Sequence, residues 1–148
     1  MKIVNKKYDR EYENIEEYEA GIVLTGAEVK SIRAGALRLD DSHVKILEGI
    51  PYVINAEIAP YRFANQKNYE PKQSRRLLLH KKELTRMQIK MKSSGLTVIP
   101  LFCYNKGALI KLKIALSRGR RDLEKRKREK ARDVKTREKR EAKEYLKR

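Results

Sequence analysis

This chain has one cysteine, two histidines, four prolines and no apolar run approaching the length of a membrane span. Each shortage excludes something. A single Cys103 forbids an internal disulfide and any cysteine-built metal cluster within one chain, and it suits a reducing compartment. His43 and His80 stand alone, neither in a metal-ligand spacing, so no metal and no cofactor are expected. Spanning a bilayer takes roughly 20 apolar residues, which are absent here. The opening Met1-Lys-Ile-Val-Asn-Lys-Lys7 also lacks the apolar centre of a signal peptide. Catalytic signatures are missing as well: no nucleophile motif, no phosphate-cradling glycine loop, no carboxylate cluster for a metal pair. These absences lead to the expectation of a soluble, cytoplasmic protein that is not an enzyme.

What abounds is positive charge. The 148 residues carry 37 Lys or Arg against 20 Asp or Glu, a net charge of +17. The distribution is uneven. Ser117 to Arg148 holds sixteen Lys or Arg against seven Asp or Glu, so nine of the seventeen charges lie on 32 residues with almost nothing to bury. Two parts follow: residues 1–116, enough for a modest core, and a basic tail, residues 117–148. Counterion release makes phosphate-rich polymers the favoured partners of such a chain, and RNA is the expected class. Anionic membrane is the competing polyanion, but nothing resembles an anchor.

The first part is patterned for short strands. Arg10 to Leu24, rich in Tyr, Ile and Val, reads as a strand with Gly21 allowing a bulge or bend. Thr25-Gly-Ala-Glu28 has the capping-box spacing of a short helix that Gly35 is placed to end. Ser42 to Leu47 and Tyr52 to Ile58 predict a hairpin about Glu48-Gly49. Pro60 to Ser74 is polar, basic and unpatterned, a long exposed loop of the kind that carries function. Arg75 to Leu79 predicts a strand. His80 to Ser93 predicts a helix with Leu84, Met87 and Met91 on one face and Gly95 as its stop. Leu96 to Tyr104 is a strand interrupted at Pro100, hence bulged or at an edge. After a turn at Asn105-Lys-Gly107, Ile110, Leu112, Ile114 and Leu116 alternate with Lys111, Lys113, Ala115 and Ser117. About six strands with short helices make this a mainly β chain, and an OB-like six-stranded barrel is the expected architecture.

The tail has no proline, and its single glycine, Gly119, lies near its start. Asp122–Arg126, Glu124–Arg128, Asp133–Arg137 and Glu144–Arg148 each place an acid four residues before a base. Such pairs contribute roughly 0.2–0.5 kcal/mol each to an isolated helix. Leu123, Ala131, Val134, Ala142, Tyr145 and Leu146 are too sparse to dock it on the barrel. An arm disordered when free and helical when bound is expected; a purely solubilising tail is the alternative.

At Glu19-Ala-Gly-Ile-Val-Leu-Thr-Gly-Ala-Glu-Val-Lys-Ser-Ile-Arg-Ala-Gly35 the chain resembles the small protein B family, the SsrA-binding proteins. Further blocks agree in the family's order: Asn5-Lys-Lys7, Asp41-Ser42, Arg75-Arg-Leu-Leu-Leu-His-Lys-Lys-Glu83, Gly95-Leu-Thr-Val-Ile-Pro-Leu101 and Ala115-Leu-Ser-Arg-Gly-Arg-Arg121. The resemblance implies an RNA-binding adaptor of bacterial trans-translation, the ribosome-rescue pathway. Its barrel would hold the tRNA-like arm of transfer-messenger RNA, and its tail would enter the decoding centre and empty messenger channel of the ribosome as a helix. The tail departs from the family. Gly119-Arg120-Arg121 stands for Gly-Lys-Lys, and Leu123 precedes Glu124-Lys125-Arg126 where many members carry an aromatic or histidine, so no ring is available there for stacking.

Candidate contacts follow from both readings. Glu19 repels phosphate yet can accept from a base amino group or a ribose hydroxyl; the resemblance puts it on the RNA surface, while the plain reading is a solvent-facing strand residue. Glu28 is explained by its capping box. Asn5 suits a base edge or a turn, with Lys6 and Lys7 as point charges on phosphate or part of a frayed terminus. Lys30 and Arg33 share a helix face, open to phosphate or to water. Arg75 and Arg76 are cations beside Leu78, which the resemblance places on the RNA surface and which core packing explains equally. Tyr12 and Tyr18 are stacking candidates that packing explains better, with Tyr8, Tyr61 and Tyr69 weaker ones. In the tail the ribosome contacts are expected at Arg120, Arg121, Glu124, Lys125 and Arg126, with Gly119 as hinge. Two rivals share these features, a structural ribosomal protein and an RNA-processing enzyme using His43 and His80. A monomer bound to transfer-messenger RNA and the ribosome, with no membrane partner, is the expected state.

Overall fold

The computed structural model describes residues 1–64 and 67–147, leaving out the side chains of residues 122–125 and 147. Its elements run β1 (Lys2–Val4), α1 (Tyr8–Glu11), β2 (Tyr12–Ile22), α2 (Gly26–Arg33), β3 (Leu37–Arg38), β4 (His43–Leu47), β5 (Ile50–Ile54) and β6 (Glu57–Ile58). They continue with β7 (Arg75–Leu78), α3 (Lys81–Ser94), β8 (Thr97–Lys106), β9 (Leu109–Gly119) and α4 (Asp122–Lys147). Six strands close a ring in the order β8-β4-β5-β7-β2-β9, with β9 returning to β8. Closure removes the sheet edges that a small β protein must otherwise protect. The two short strands β3 and β6 pair outside this ring.

Local chemistry sets the element ends. The Thr25 hydroxyl accepts from the Glu28 amide at 3.2 Å while the Glu28 carboxylate accepts from the Thr25 amide at 3.0 Å, the reciprocal capping box. Gly95 ends α3 with φ +61, the left-handed conformation that costs glycine least. The β4–β5 hairpin turns at Glu48 and Gly49, both at positive φ, as its tight turn demands. The strand expected over Tyr52 to Ile58 breaks after Ile54, because Asn55 adopts φ +65 and redirects β6 to pair with β3. At the other end of the hairpin the second strand begins at Ile50, two residues earlier than the sequence indicates.

Pro100 produces a bulge rather than an edge. The β8–β9 register shifts between Pro100 and Phe102, and Pro100 itself pairs opposite Ile114. The bulge divides the other edge of β8 between β4, paired at Val98, and β1, paired at Phe102 to Tyr104. Inside the ring lie Tyr18, Ala20, Val53, Leu77, Val98, Cys103, Leu112, Ile114 and Leu116, with Ile32 of α2 and Met87 of α3 contributing to the same core. Burial pushes the Cys103 thiol up to about 11, so it is packing rather than reactive chemistry.

A second, smaller cluster lies outside the ring. Tyr8 of α1 packs on Ile99, Leu101 and Ala115, and its hydroxyl lies 2.7 Å from that of Ser117. The alternation along β9 therefore stops marking solvent beyond Ile114: Ala115 and Ser117, on the polar side by pattern, are fully buried under α1. The strand also continues to Gly119, three residues past the expected boundary of the barrel.

Candidate nucleic-acid interface

Side chains alternate along a strand, so the residues of β2 that turn away from the core are Glu17, Glu19 and Gly21. Register then assembles a wall. Glu19 lies opposite Lys113 of β9, and Gly21 lies between Lys111 of β9 and Leu78 of β7. Tyr104 of β8 lies opposite Lys111 on the far side of β9, and Lys2 of β1 lies beyond Tyr104. Lys2 stacks its ammonium 4.3 Å over the Phe102 ring. Leu78 is 54% exposed, an aliphatic residue among lysines. A Cβ on Gly21 would stand 3.2 Å from the Leu78 Cβ, so glycine is what lets Leu78 lie against β2 without displacement.

Glu19 is held in place on this wall. Its two oxygens accept from the Tyr104 hydroxyl and from Lys106 Nζ, the latter at 3.0 Å. The same two donors hold its carboxyl below the usual carboxylate range. Burial and the facing carboxylate push the Tyr104 phenol up to about 12, so it stays a donor at any physiological pH. A negative group fixed among Lys2, Lys106, Lys111 and Lys113 offers acceptors where phosphate would find only cations. That combination suits a partner presenting base or sugar donors as well as phosphates.

The expected contact residues divide by placement. Arg76 is exposed beside Leu78 on β7, where its Cα pairs with that of Tyr52. Lys30 sits 5.6 Å from the Tyr61 ring centre. Arg33 donates at 3.0 Å to the Ala108 carbonyl in the turn that follows Lys106. Lys6 is exposed, and Lys7 pairs at 3.1 Å with Asp41, on the far side of the Pro100 bulge from Glu19. Lys2, which the sequence reading passes over, is the N-terminal cation on the wall. Tyr104, Lys106, Lys111 and Lys113 are missed by it too. The Lys111/Lys113 alternation is visible in the sequence, but the register that sets it beside Glu19 is not.

Two candidates belong to the interior instead. Asn5 is 4% exposed; its amide donates to the Pro100 carbonyl at 2.9 Å and its side-chain oxygen accepts from the Lys7 amide. It satisfies a carbonyl at the bulge and lies too deep to reach a base. Arg75 has a side chain only 2% exposed, and it uses all five guanidinium donors internally. Nε donates to Glu28 at 2.5 Å, Nη1 to the Ala56 and Gln73 carbonyls, and Nη2 to the Pro71 carbonyl and the Tyr69 hydroxyl. It clamps the returning half of the 60–74 loop onto α2 and has no donor left for phosphate.

The stacking candidates are occupied as well: Tyr18 is buried, and Tyr12 stacks on Tyr8 at 5.7 Å. The expectation that the tail would not dock fails at α1. Asp9 accepts from Arg128 at 2.6 Å and Arg132 at 2.9 Å, Arg10 pairs with Glu129, and Arg128 above all draws the Asp9 carboxyl below its ordinary range. Ion pairs replace the missing apolar contacts. Gly119 is still paired with Tyr12, so the segment without regular structure is Arg120–Arg121. Arg120 is anchored by its amide on the Glu11 carbonyl and its guanidinium on those of Asp9 and Tyr12, while Arg121 and Arg126 are exposed. The side chains of Leu123, Glu124 and Lys125 lie outside the described residues.

Among the described residues, no cluster of three His, Cys, Asp or Glu is placed to hold a metal, and no helix is long and apolar enough to cross a membrane. Comparison with known proteins then singles out one family. Residues 2–144 match the model described as SmpB protein. The SsrA-binding protein of Sulfurihydrogenibium sp. is 47% identical over 131 residues, covering 88% of this chain and 86% of its own length. That of Persephonella marina is 46% identical with the same coverage. A solved chain from the work described as "tmRNA-SmpB: a journey to the center of the bacterial ribosome" superposes with a TM-score of 0.67 at 40% identity, covering 82% of this chain and 85% of that one.

Proposed function

This chain belongs to the SmpB protein family, and from that premise we propose that it is an RNA-binding adaptor of ribosome rescue. Its barrel wall holds the tRNA-like arm of transfer-messenger RNA, and its basic tail probes the decoding centre and the empty messenger channel of a stalled ribosome. The relatives named SsrA-binding protein and the fold shared with the tmRNA–SmpB chain support both partners. The site of action is accordingly the cytosol, where ribosomes stall, and the role is binding rather than catalysis.

One observation carries the assignment of the RNA surface: Glu19, fixed by Tyr104 and Lys106, shares an outer wall with exposed Leu78 and the row of Lys2, Lys111 and Lys113. The lysines and Arg76 attract phosphate at long range. Glu19 then accepts from a base or ribose donor, and Leu78 packs on a sugar or base face. Lys30 and Arg33 extend the positive surface along α2, with Lys6 and Lys7 as outlying charges. In the tail, Arg120 and Arg121 form the joint, and the helix bearing Glu124, Lys125 and Arg126 enters the channel. A phosphate track competes with Asp9 for Arg128 and Arg132, so docking on α1 is released on the ribosome.

The test separates charge from recognition. Glu19→Ala and Leu78→Ala should each weaken binding to the tRNA-like arm by roughly 5- to 100-fold, as expected for a lost contact of about 1–3 kcal/mol. The salt dependence should stay as steep as in the parent, because no phosphate contact is lost. Lys111→Gln should reduce that slope by about one unit. Parent-like affinity in both the Glu19 and Leu78 variants would remove this wall from the interface.

A further inference from the structure

Among the described phenylalanines and tyrosines of the barrel one ring is left exposed: Phe63, at 78%. It belongs to a turn closed by the Ala64 amide on the Tyr61 carbonyl at 3.1 Å. The Tyr61 and Phe63 rings meet edge to face, their centres 5.6 Å apart at 70°. A cation lies at each ring: Lys30 Nζ is 5.6 Å from the Tyr61 centre, and the Arg62 guanidinium is 5.5 Å from that of Phe63. The far half of the loop is fastened by Arg75 to the Pro71 and Gln73 carbonyls and to Tyr69. The turn is thus presented from an anchored base, in the loop whose polar, basic character set it apart in the sequence.

An apolar ring alone would serve a protein partner equally well. Two rings with a cation beside each match a nucleotide better, since a base stacks on the ring face while its phosphates meet the guanidinium and ammonium. The position agrees. Lys30 and Arg33 lie one turn apart on α2, Arg33 holds the Ala108 carbonyl, and Lys106 in the same hairpin holds Glu19. Neighbouring residues on α2 and in the β8–β9 hairpin therefore link the Glu19 wall to the aromatic turn.

We propose that the Tyr61–Phe63 turn is a second binding site, which stacks one unpaired nucleobase and takes the adjoining phosphates on Lys30 and Arg62. The choice of RNA rests on the reading of the wall given above: the base belongs to the same RNA that the wall holds. An extruded base at this turn would set the orientation of the RNA on the barrel, a task that the diffuse lysine field cannot perform.

The chain contains no tryptophan, so Phe63→Trp creates a single fluorescent reporter at the site. Titrating the full-length Phe63→Trp protein with the tRNA-like arm should quench its emission, with affinity close to the parent's. Phe63→Ala should weaken binding roughly 5- to 100-fold with an unchanged salt slope. Phe63→Leu should not restore affinity, because it keeps apolar area but loses the ring face. Arg62→Gln and Lys30→Gln should each flatten the slope by about one. An unquenched indole in the Phe63→Trp protein, together with parent-like affinity in Phe63→Ala, would overturn the site. So would quenching by ribosomes and not by the arm, which would make the ring a contact for another ribosomal component. The reading of the wall fails separately, if the parent does not prefer the arm to an unrelated hairpin of matched size; quenching by both RNAs would then still support stacking.

Discussion

Replacing Glu28 with alanine is expected to cost about 3–5 kcal/mol, a large part of the roughly 5–15 kcal/mol that stabilises a typical domain. The cause is the guanidinium left behind. Arg75 and Glu28 both have side chains 2% exposed, too deep for solvent to take over the role of a lost carboxylate. The same substitution removes the capping box of α2 and an acceptor for Tyr69. For a chain of this size the melting temperature should fall by roughly 6–20 °C in a calorimetric or circular dichroism melt. Arg75→Lys should not rescue the pair's role. It keeps one charge but lacks the planar fork that reaches Glu28, three carbonyls and Tyr69 together.

The same pair gives a sign for pH. Burial pushes the Glu28 carboxyl up, but the Thr25 amide and the Arg75 guanidinium outweigh it and leave it below its ordinary value. A depressed carboxylate contributes its stability fully above the unfolded-state value and loses it as pH falls through the folded one. The parent should therefore lose stability on acidification below about pH 4.5, and Glu28→Gln should flatten that limb from a lower plateau. A Glu28→Ala protein melting within about 2 °C of the parent would mean that the clamp contributes little.

Ending the chain after Arg121 should have a larger effect still, on function rather than stability. Peptide tagging on stalled ribosomes should fall to background, while selective binding of the tRNA-like arm stays within a few-fold of the parent. The barrel loses only surface ion pairs by this cut. Gly119 keeps its pairing with Tyr12 and Arg120 keeps its carbonyl anchors, while Val134, Tyr145 and Leu146 of α4 lie outside the core with exposed side chains. The Asp9 pairs with Arg128 and Arg132 are partly exposed, and pairs of that kind are worth about 0–1 kcal/mol. That biases α4 toward α1 at most a few-fold and is weak enough for a phosphate track to displace. Tagging that persisted in residues 1–121 would contradict the tail's role.

Local signals are legible in the sequence. The capping box at Thr25, the stop at Gly95, the irregularity at Pro100 and the alternation from Ile110 to Ile114 each depend on residues a few positions apart. The errors involve partners far along the chain. Arg75 reads as a phosphate contact because it is an arginine near a leucine that the resemblance places on the RNA surface; its partner Glu28 lies 47 residues earlier. Asn5 finds its acceptor 95 residues away, and Tyr104 reaches Glu19 across 85. Glu19 and Leu78 are singled out by the resemblance, while Gly21 is expected only at a bulge or bend and instead pairs in regular register with Lys111 and Leu78. What joins them to Lys2, Tyr104, Lys106 and Lys111 is strand register, which follows from ring closure and has no local mark. Ala115 and Ser117 follow the alternation faithfully, and α1 covers them.

The most direct test of the account is equilibrium binding of the full chain to the tRNA-like arm of transfer-messenger RNA and to an unrelated hairpin of matched size, across a salt series. Recognition by a fixed carboxylate and an exposed leucine predicts a preference for the arm that persists, or widens, as salt suppresses phosphate attraction. Equal binding to both RNAs, lost together with the same steep slope, would leave only a basic protein on a polyanion and would contradict the account.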